Sequence, residues 1–190
     1  MKAICVYCGS SSKAKPVYFE AAHALGTALA KRGWSLIYGG ASCGLMGAVA
    51  DAALAAGGKV VGVLPDFMED RELAHTNLTE LHIVSSMHER KAKMAQLADG
   101  FIALPGGFGT LDEMFEMLTW AQINAHQKPC GFLNVSGFYD PLFTFLDHVT
   151  AEGLLRPHHR ALPLIHRELE PLLELLATHE GRPDIHWEKV

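Results

Sequence analysis

Short apolar runs, each closed by glycine, proline or polar residues, alternate with longer helical patterns along most of the chain. Such runs are typical of buried strands, and seven are predicted: 3–7, 35–38, 59–64, 81–84, 100–104, 129–135 and 162–165. Apolar residues at helical spacing predict six helices: 16–31, 48–56, 87–98, 111–122, 138–151 and 169–177. This alternation with short connections favours a parallel sheet that helices cover on both faces.

One segment, residues 66–80, interrupts the alternation. It is polar, has no clear period and contains the charged run 69–72. We therefore predict a loop with at most one helical turn, and loops of this length in compact domains are frequently functional.

Composition fits one domain with a sizeable core, because 49% of the 190 residues are hydrophobic. We assign this domain to residues 1–178 and treat the polar residues 179–190 as a C-terminal tail. Only 19% of residues are charged, which suggests an oligomer interface, and the net charge of −5 argues against a nucleic-acid partner. No apolar run is long enough for a membrane span. The chain starts directly in a strand and its cysteines are scattered, so we expect a cytoplasmic protein with free thiols.

Three glycine-bearing segments follow predicted strands: 9–11, which includes Ser10, 39–47, which includes Gly40, and 106–109. The carboxyl ends of parallel strands share one edge, so we expect these loops to face one cleft. Glycine turns and helix N-termini present free N–H groups to anions, which favours a phosphorylated ligand. The dinucleotide fingerprint is absent after the first strand and no Walker lysine follows any loop, which argues against NAD or ATP chemistry.

Glu113 follows the third glycine loop and has two interpretations. With Thr110 it has the spacing of a capping box, in which both side chains only cap a helix. Glu116 and Trp120 continue the same helical face, and two carboxylates with an indole are unusual on a face that packs on a core. Glu113 is therefore a candidate functional carboxylate, with Glu116 as a secondary candidate.

Arg90 and Lys91 lie near the start of the predicted helix 87–98. A solvated first turn would account for them, but cations oppose the dipole at a helix N-terminus. We therefore also consider them as ligand contacts, since arginine offers a fork for phosphate or a hydroxyl pair and lysine offers a point charge.

Four motifs together resemble one known family. They are Gly39-Gly40 with Gly44-Leu-Met-Gly47, Met87-His-x-Arg-Lys91, Pro105-Gly-Gly-x-Gly-Thr-x-x-Glu113 and Thr119-Trp-x-Gln122. They are similar to the LOG family of cytokinin riboside 5′-monophosphate phosphoribohydrolases, over about residues 3–176. The resemblance implies an α/β, Rossmann-like, doubly wound parallel sheet of about seven strands in three α-β-α layers, and a homodimer. It also implies hydrolysis of AMP and N6-substituted adenine nucleotides to free base and ribose 5-phosphate. The sequence has no metal-ligand cluster and this hydrolysis needs none, so we expect no cofactor or metal.

The resemblance also implies roles for individual residues. Arg90 and Glu113 match the catalytic pair, and residues 107–110 match the phosphate-binding turn. The expected substrate contacts are Glu72, Arg90, Lys91, Gly107, Phe108, Gly109, Thr110, Leu111, Asp112, Glu113 and Thr119. Phe108 stands where many members have tyrosine, which removes a hydroxyl but keeps the ring.

Two other functions stay open from the sequence. A non-catalytic carrier module would bind a nucleotide without releasing its base. A pyridoxal-phosphate decarboxylase would need a lysine for a Schiff base, and only Lys91 and Lys93 lie near the motifs.

Two apolar groups could line the expected dimer face. Helix 48–56 is rich in alanine, and Met114, Met117 and Trp120 recur along the helix that follows the third glycine loop. Both groups fit a subunit interface or the core, and core is the more common outcome at helical spacing.

Overall fold

A computed structural model describes residues 1–69 and 74–181 of the chain. Its strands are β1 (Ala3–Tyr7), β2 (Ser35–Tyr38), β3 (Val60–Pro65), β4 (Glu80–Val84), β5 (Gly100–Ala103), β6 (Cys130–Leu133) and β7 (Pro163–His166). Its helices are α1 (Pro16–Lys31), α2 (Gly44–Ala55), α3 (Asp66–Glu69), α4 (Met87–Leu97), α5 (Phe108–Gln122), α6 (Asp140–Ala151), α7 (Pro157–Arg160) and α8 (Leu169–Ala177). A 3₁₀ turn spans Val135–Gly137.

All seven strands run parallel in one sheet, in the order β4-β3-β2-β1-β5-β6-β7. The central strand β1 pairs with β2 through Ile4 and Leu36 and with β5 through Cys5 and Phe101. The chain adds strands on one side of β1 up to β4 and then on the other side from β5 onward. The topological switch point, where such sheets bind ligands, therefore lies between β1 and β5.

Helices cover both faces of the sheet. Ile4 and Val6 of β1 are buried with α1, α2 and α8, whereas Cys5 and Tyr7 are buried with α4, α5 and α6. Successive strand residues point to opposite faces, so a strand between two helical layers must be apolar throughout. This arrangement confirms the predicted α/β, Rossmann-like, three-layer fold. No helix in the described part of the chain is both long and apolar enough to cross a bilayer.

The predicted bounds of β1, β2, α1 and α8 agree with the structure residue for residue. Three helix starts differ: α6 begins at Asp140, two residues later than predicted, and α2 and α5 begin at Gly44 and Phe108, inside segments predicted as glycine loops. Glycine is unfavourable within a helix but is accepted at its start, so its presence hid both first turns from the pattern. The one-turn helix α7 and the 3₁₀ turn were missed, because one turn is too short to show a period.

The predicted capping box of Thr110 and Glu113 is wrong. Gly107 is the N-cap of α5, no side chain caps this helix, and Thr110 is already its third residue. The Thr110 side chain instead lies on Gly106, where an added Cβ would stand 2.6 Å from the Cβ of Thr110. The spacing of threonine and glutamate matched a capping box, but the non-helical backbone at Gly107 sets the helix start.

The two apolar groups considered for a dimer face belong to the core. Met114 and Met117 are fully buried beneath α5, and Trp120 packs against the same core. The alanines of α2 that are buried, such as Ala50 and Ala53, pack on the α1 side of the sheet. The homodimer stays a prediction.

Helices α1 and α2 are in close contact at Gly26. A Cβ on Gly26 would collide with the carbonyl oxygen of Val49 and lie 2.9 Å from the amide nitrogen of Ala53. Both neighbours are backbone atoms of α2, which cannot move without moving the helix.

We expect Gly26→Ala to lower the free energy of unfolding by about 1–3 kcal/mol, because overpacking forces the helices apart. Urea unfolding followed by circular dichroism measures this loss. Gly109→Ala is the matched control, since an added Cβ on this α5 glycine meets no atom within 4 Å. The control should be neutral or stabilising by up to about 1 kcal/mol. Equal effects of the two variants would contradict the close approach.

Candidate active site

An open cleft of about 460 Å³ lies at the carboxyl edge of the sheet, beside the switch point. The loops after β1, β2 and β5 contribute to it, which confirms that the three glycine segments share one edge. The predicted site residues that line it are Ser10, Arg90, Gly107, Phe108, Gly109, Thr110 and Glu113.

The turn after β5 packs tightly against the loop after β1. The Gly9 N–H donates to the carbonyl of Pro105 at 3.1 Å, and a Cβ on Gly106 would lie 3.0 Å from the Gly9 nitrogen. Gly107 and Gly109 differ, because an added Cβ at either position would meet open space. The turn is thus fixed by its contacts with the loop after β1, and Gly107 and Gly109 leave open space beside it.

The N-terminus of α5 opens into this cleft without a side-chain cap. The first backbone bond of the helix runs from the Leu111 N–H to the Gly107 carbonyl at 3.0 Å. The N–H groups of residues 108–110 precede that bond and point along the helix axis, where the helix dipole adds positive potential. This arrangement favours an anion such as a phosphate group.

Tyr139 binds Leu104, the last residue before this turn. Its ring is fully buried, and its hydroxyl donates to the carbonyl of Leu104 at 2.6 Å. Leu104 in turn donates its N–H to the carbonyl of Tyr7 at 2.9 Å. The last residue before the turn is therefore bonded both to β1 and to the segment that precedes α6.

Arg90 and Glu113 form a buried ion pair in the cleft wall. Arg90 Nη1 donates to Glu113 Oε1 at 2.6 Å, and the two side chains are only 9% and 10% exposed. The Nε group of Arg90 donates to the carbonyl of Val63 in β3 at 3.0 Å. The structure thus brings together the arginine and the carboxylate that the sequence singled out.

The surroundings of Glu113 perturb its ionisation. Burial raises the pKa of the Glu113 carboxyl, and the charge and hydrogen bond of Arg90 oppose that rise without cancelling it. Perturbed carboxylates of this kind, in a cleft and beside a specific charge, are typical of functional sites.

Lys91 lies on the other side of this pair and joins α4 to α5. Its ammonium group is 3.1 Å from Asp112 Oδ2 and 3.3 Å from Glu116 Oε2, and its side chain is 11% exposed. Burial alone would lower the pKa of Lys91, but its hydrogen bonds to Asp112 and Glu116 and their charges outweigh burial, so the pKa is raised. These contacts explain two cations at a helix start: Arg90 pairs with Glu113, and Lys91 cross-links the helices.

The N-terminus of α4 is capped by its own side chains. Ser86 Oγ accepts the N–H of Glu89 at 3.2 Å, and Glu89 Oε2 accepts the N–H of Ser85 at 2.8 Å. This reciprocal cap fixes the start of the helix that carries Arg90.

Several predicted substrate contacts lie away from the cleft. Thr119 is exposed in a groove between α5 and α6, where its hydroxyl donates to the Phe115 carbonyl at 2.7 Å. Leu111 packs against the core beneath α5. Gly40 has a φ of +78° and lies against Leu64 rather than the ligand space.

Other predicted contacts fall into two groups. Asp112 and Glu116 each pair with Lys91, and none of the three lines the cleft. Glu72 lies outside the residues that the structure describes.

The structure also adds residues that sequence reasoning missed. The carbonyl of Val63, the backbone of Gly39 and the side chains of Met46 and Met68 all contribute to the site or to its support. Of these, Gly39 and Met46 lay in a motif, but nothing in the motif marked them as neighbours of Arg90. Val63 and Met68 carry no signal, because a strand carbonyl and a single methionine look like ordinary core in a sequence.

Comparisons with known proteins agree with this geometry. A family model described as "Possible lysine decarboxylase" matches residues 46–176. The chain is 46% identical over 183 residues to a cytokinin riboside 5′-monophosphate phosphoribohydrolase of Arabidopsis thaliana, covering 96% of this chain and 84% of the relative. It is 46% identical over 170 residues to an enzyme of the same name from Rhodococcoides fascians, covering 89% of this chain and 86% of the relative.

Solved structures share the fold. A molybdenum cofactor binding protein of Rippkaea orientalis matches with a TM-score of 0.72 at 24% identity, covering 94% of this chain and 97% of that one. A molybdenum cofactor carrier protein of Chlamydomonas reinhardtii matches with a TM-score of 0.68 at 20% identity, covering 93% and 99%. At these identities the likeness concerns the fold alone.

Fold, cleft and close relatives together define the class of protein: an enzyme of the N-glycosidic hydrolase type. Within that class, the chain belongs to the LOG family of phosphoribohydrolases, whose model carries the decarboxylase description.

That description does not match the chemistry of the cleft. No lysine lines the cleft within the described residues, and the ammonium group of Lys91 is engaged by two carboxylates. A Schiff base with pyridoxal phosphate would need a free lysine amine in the cleft. Within residues 1–69 and 74–181, no group of three histidine, cysteine or acidic side chains could hold a metal ion, and a metal-free reaction stays a prediction.

We expect Tyr139→Phe to lower the free energy of unfolding by about 1–2 kcal/mol, because the buried carbonyl of Leu104 loses its donor. Tyr38→Phe is the matched control. Tyr38 is equally buried, but its hydroxyl has no partner among the described residues, so its removal should cost nothing. Thermal or urea unfolding of both variants tests this difference, and equal losses would show that the Tyr139 hydrogen bond does not support the turn.

Proposed function

We propose that the protein hydrolyses the N-glycosidic bond of adenine-type nucleoside 5′-monophosphates, AMP and N6-substituted cytokinin nucleotides, to free base and ribose 5-phosphate. One observation carries the proposal: the buried Arg90–Glu113 pair lies one helical turn beyond the uncapped N-terminus of α5. The names of the relatives from Arabidopsis thaliana and Rhodococcoides fascians support the substrate class.

The phosphate binds at the turn of residues 107–110. The backbone N–H groups there take an anion, while Gly107 and Gly109 leave room for it. This end of the nucleotide takes no part in bond breaking. Its binding energy instead fixes the ribose relative to the next turn of α5, where Glu113 lies.

Glu113 acts on the sugar. When the bond between C1′ and the base breaks, the electron pair leaves with the base and the ribose becomes a cation of oxocarbenium type. A carboxylate beside C1′ stabilises that cation or takes a proton from the attacking water. A helical turn of ~5.4 Å separates phosphate and carboxylate, a span that a ribose bridges.

Arg90 keeps the carboxylate in place and balances its charge. Its guanidinium spans from the Val63 carbonyl to Glu113, so it can hold the carboxylate oxygen at a fixed position while another group approaches. The same cation lies at the cleft wall, where it can offset negative charge on the departing base.

The rim of the cleft offers a contact surface for the adenine base of the nucleotide. Phe108 places an aromatic ring there that is 94% exposed, beside Met68 in the same cleft. An exposed ring at the mouth of a nucleotide site offers a stacking surface for adenine. A contact of Glu72 with the substrate and a homodimer complete the proposal from the family resemblance. The free cysteines support a cytoplasmic location.

A carrier function would predict tight nucleotide binding without release of base. The structural neighbours that carry a cofactor share only the fold with this chain, and no feature of the cleft favours carriage over hydrolysis. Incubation with AMP, followed by chromatography for adenine and ribose 5-phosphate, separates the two functions. Saturable binding without any adenine would contradict the hydrolase.

We expect Glu113→Gln to reduce turnover of AMP by about 10²-fold or more, because the amide cannot stabilise the sugar cation or accept a proton. Folding and AMP binding should be largely retained, as measured by melting temperature and equilibrium binding. Glu174→Gln is the matched control, since Glu174 also pairs with an arginine, Arg32 at 2.7 Å, but lies on α8. Near-normal turnover of Glu113→Gln would assign that carboxylate to structure only.

The activity should also depend on pH through Glu113. Its carboxyl must be ionised to act, and burial raises its pKa, so turnover should fall at a pH above the ordinary carboxyl value of 4.5 as the solution is acidified. The phosphate of the nucleotide itself titrates near pH ~6, so kcat at saturating AMP is the informative quantity. An acid limb at or below 4.5 would show that Glu113 is not perturbed in this way.

A further inference from the structure

Gly39, the residue that follows β2, lies directly against the guanidinium of Arg90. A Cβ built on Gly39 would collide with Nη2 of Arg90 and stand 3.0 Å from its Cζ, whereas ordinary contact begins at 3.4 Å. The Nη2 end of the guanidinium therefore lies against a backbone that has no side chain at this point.

The other contacts of Arg90 leave it little choice of position. Its Nε donates to the Val63 carbonyl and its Nη1 donates to Glu113, so two of its three nitrogens are committed. The third nitrogen, Nη2, occupies the space that a side chain at residue 39 would take. The guanidinium is thus held on three sides: by β3, by α5 and by the end of β2.

We propose that Gly39 is a positioning residue that keeps the Arg90 guanidinium in register with Glu113. This inference rests on the proposed function, because it assigns Gly39 a part in the reaction only if the pair of Arg90 and Glu113 is catalytic. It does not make Gly39 a catalytic residue, since its effect passes through Arg90.

A substitution at Gly39 should displace the arginine rather than the fold. The atoms that an added Cβ would meet belong to the flexible ends of Arg90 and Met46. Gly26, Gly44 and Gly47 differ, because their added Cβ atoms would strike backbone. The φ of Gly39 lies outside the left-handed region, so alanine can adopt its backbone conformation.

Displacement of Arg90 would change Glu113 in a measurable way. The carboxylate would stay buried but lose its nearest opposite charge, which now opposes the rise of its pKa. Its ionisation should therefore move to higher pH, and the acid limb of turnover should follow it. A substitution that merely loosened the fold would not produce this linked shift.

The experiment compares Gly39→Ala, Arg90→Ala and the double variant. Gly39→Ala should reduce turnover of AMP by about 10²-fold, the loss expected from a displacement of ~1 Å at a reacting group. Its melting temperature should stay within a few degrees of the parent protein. In the Arg90→Ala background the same substitution should have no further effect, because the guanidinium that it displaces is gone.

A second measurement does not depend on activity. Carboxyl-carbon NMR of the labelled protein follows the titration of Glu113, which should shift to higher pH in Gly39→Ala and in Arg90→Ala. In the double variant the titration should shift no further than in Arg90→Ala. Gly131→Ala is the control, since Gly131 lies in β6 and its added Cβ would meet only the ends of Leu172 and Leu176. It should keep parental turnover and titration.

Three results would overturn the inference: parental turnover and titration in Gly39→Ala, a full additional loss in the Arg90→Ala background, or loss of cooperative unfolding. Failure of the parent protein to cleave AMP would instead remove the proposed function. In that case the titration of Glu113 still shows whether Gly39 positions Arg90.

Discussion

A pair of opposite charges held out of water is the interaction around which the carboxyl edge of this protein is built. Burial of a guanidinium and a carboxylate costs much of what their attraction returns, so such a pair contributes little net stability. Several contacts of the surrounding structure nevertheless hold this ion pair in place. A strand carbonyl binds Arg90, a glycine makes room for it, and Lys91 ties its helix to the helix of Glu113. This number of contacts around a pair that adds little stability indicates a functional site.

One rigid element sets the main distance in that site. α5 carries both the open N–H groups at its N-terminus and the carboxylate one turn further on. Their separation follows from helix geometry and does not depend on loop conformation. The arginine arrives on a different helix, α4, so its position relative to α5 must be fixed by added contacts. The ion pairs of Lys91 with Asp112 and Glu116 provide them.

The sequence was sufficient for the fold because the central strands are buried on both faces and must therefore be apolar. At α5 the sequence was misleading, because Thr110 and Glu113 have the spacing of a capping box although Gly107 is the N-cap of the helix. The partnership of Arg90 and Glu113 followed from family resemblance and not from spacing. The support at Val63 could not be predicted, because it is a strand carbonyl that any apolar residue would supply. Gly39 stood in a motif, but the sequence does not show that Arg90 of a distant helix lies against it.

The central place of β1 in the strand order has a consequence for synthesis of the chain. β1 precedes its partner β2 by a few dozen residues, but its other neighbour, β5, begins only at Gly100. Until that strand leaves the ribosome, one side of β1 has unpaired backbone groups flanked by apolar side chains. An open edge of this kind invites pairing with other chains. A nascent chain that ends before β5 therefore exposes to other chains the strand that later lies at the centre of the sheet.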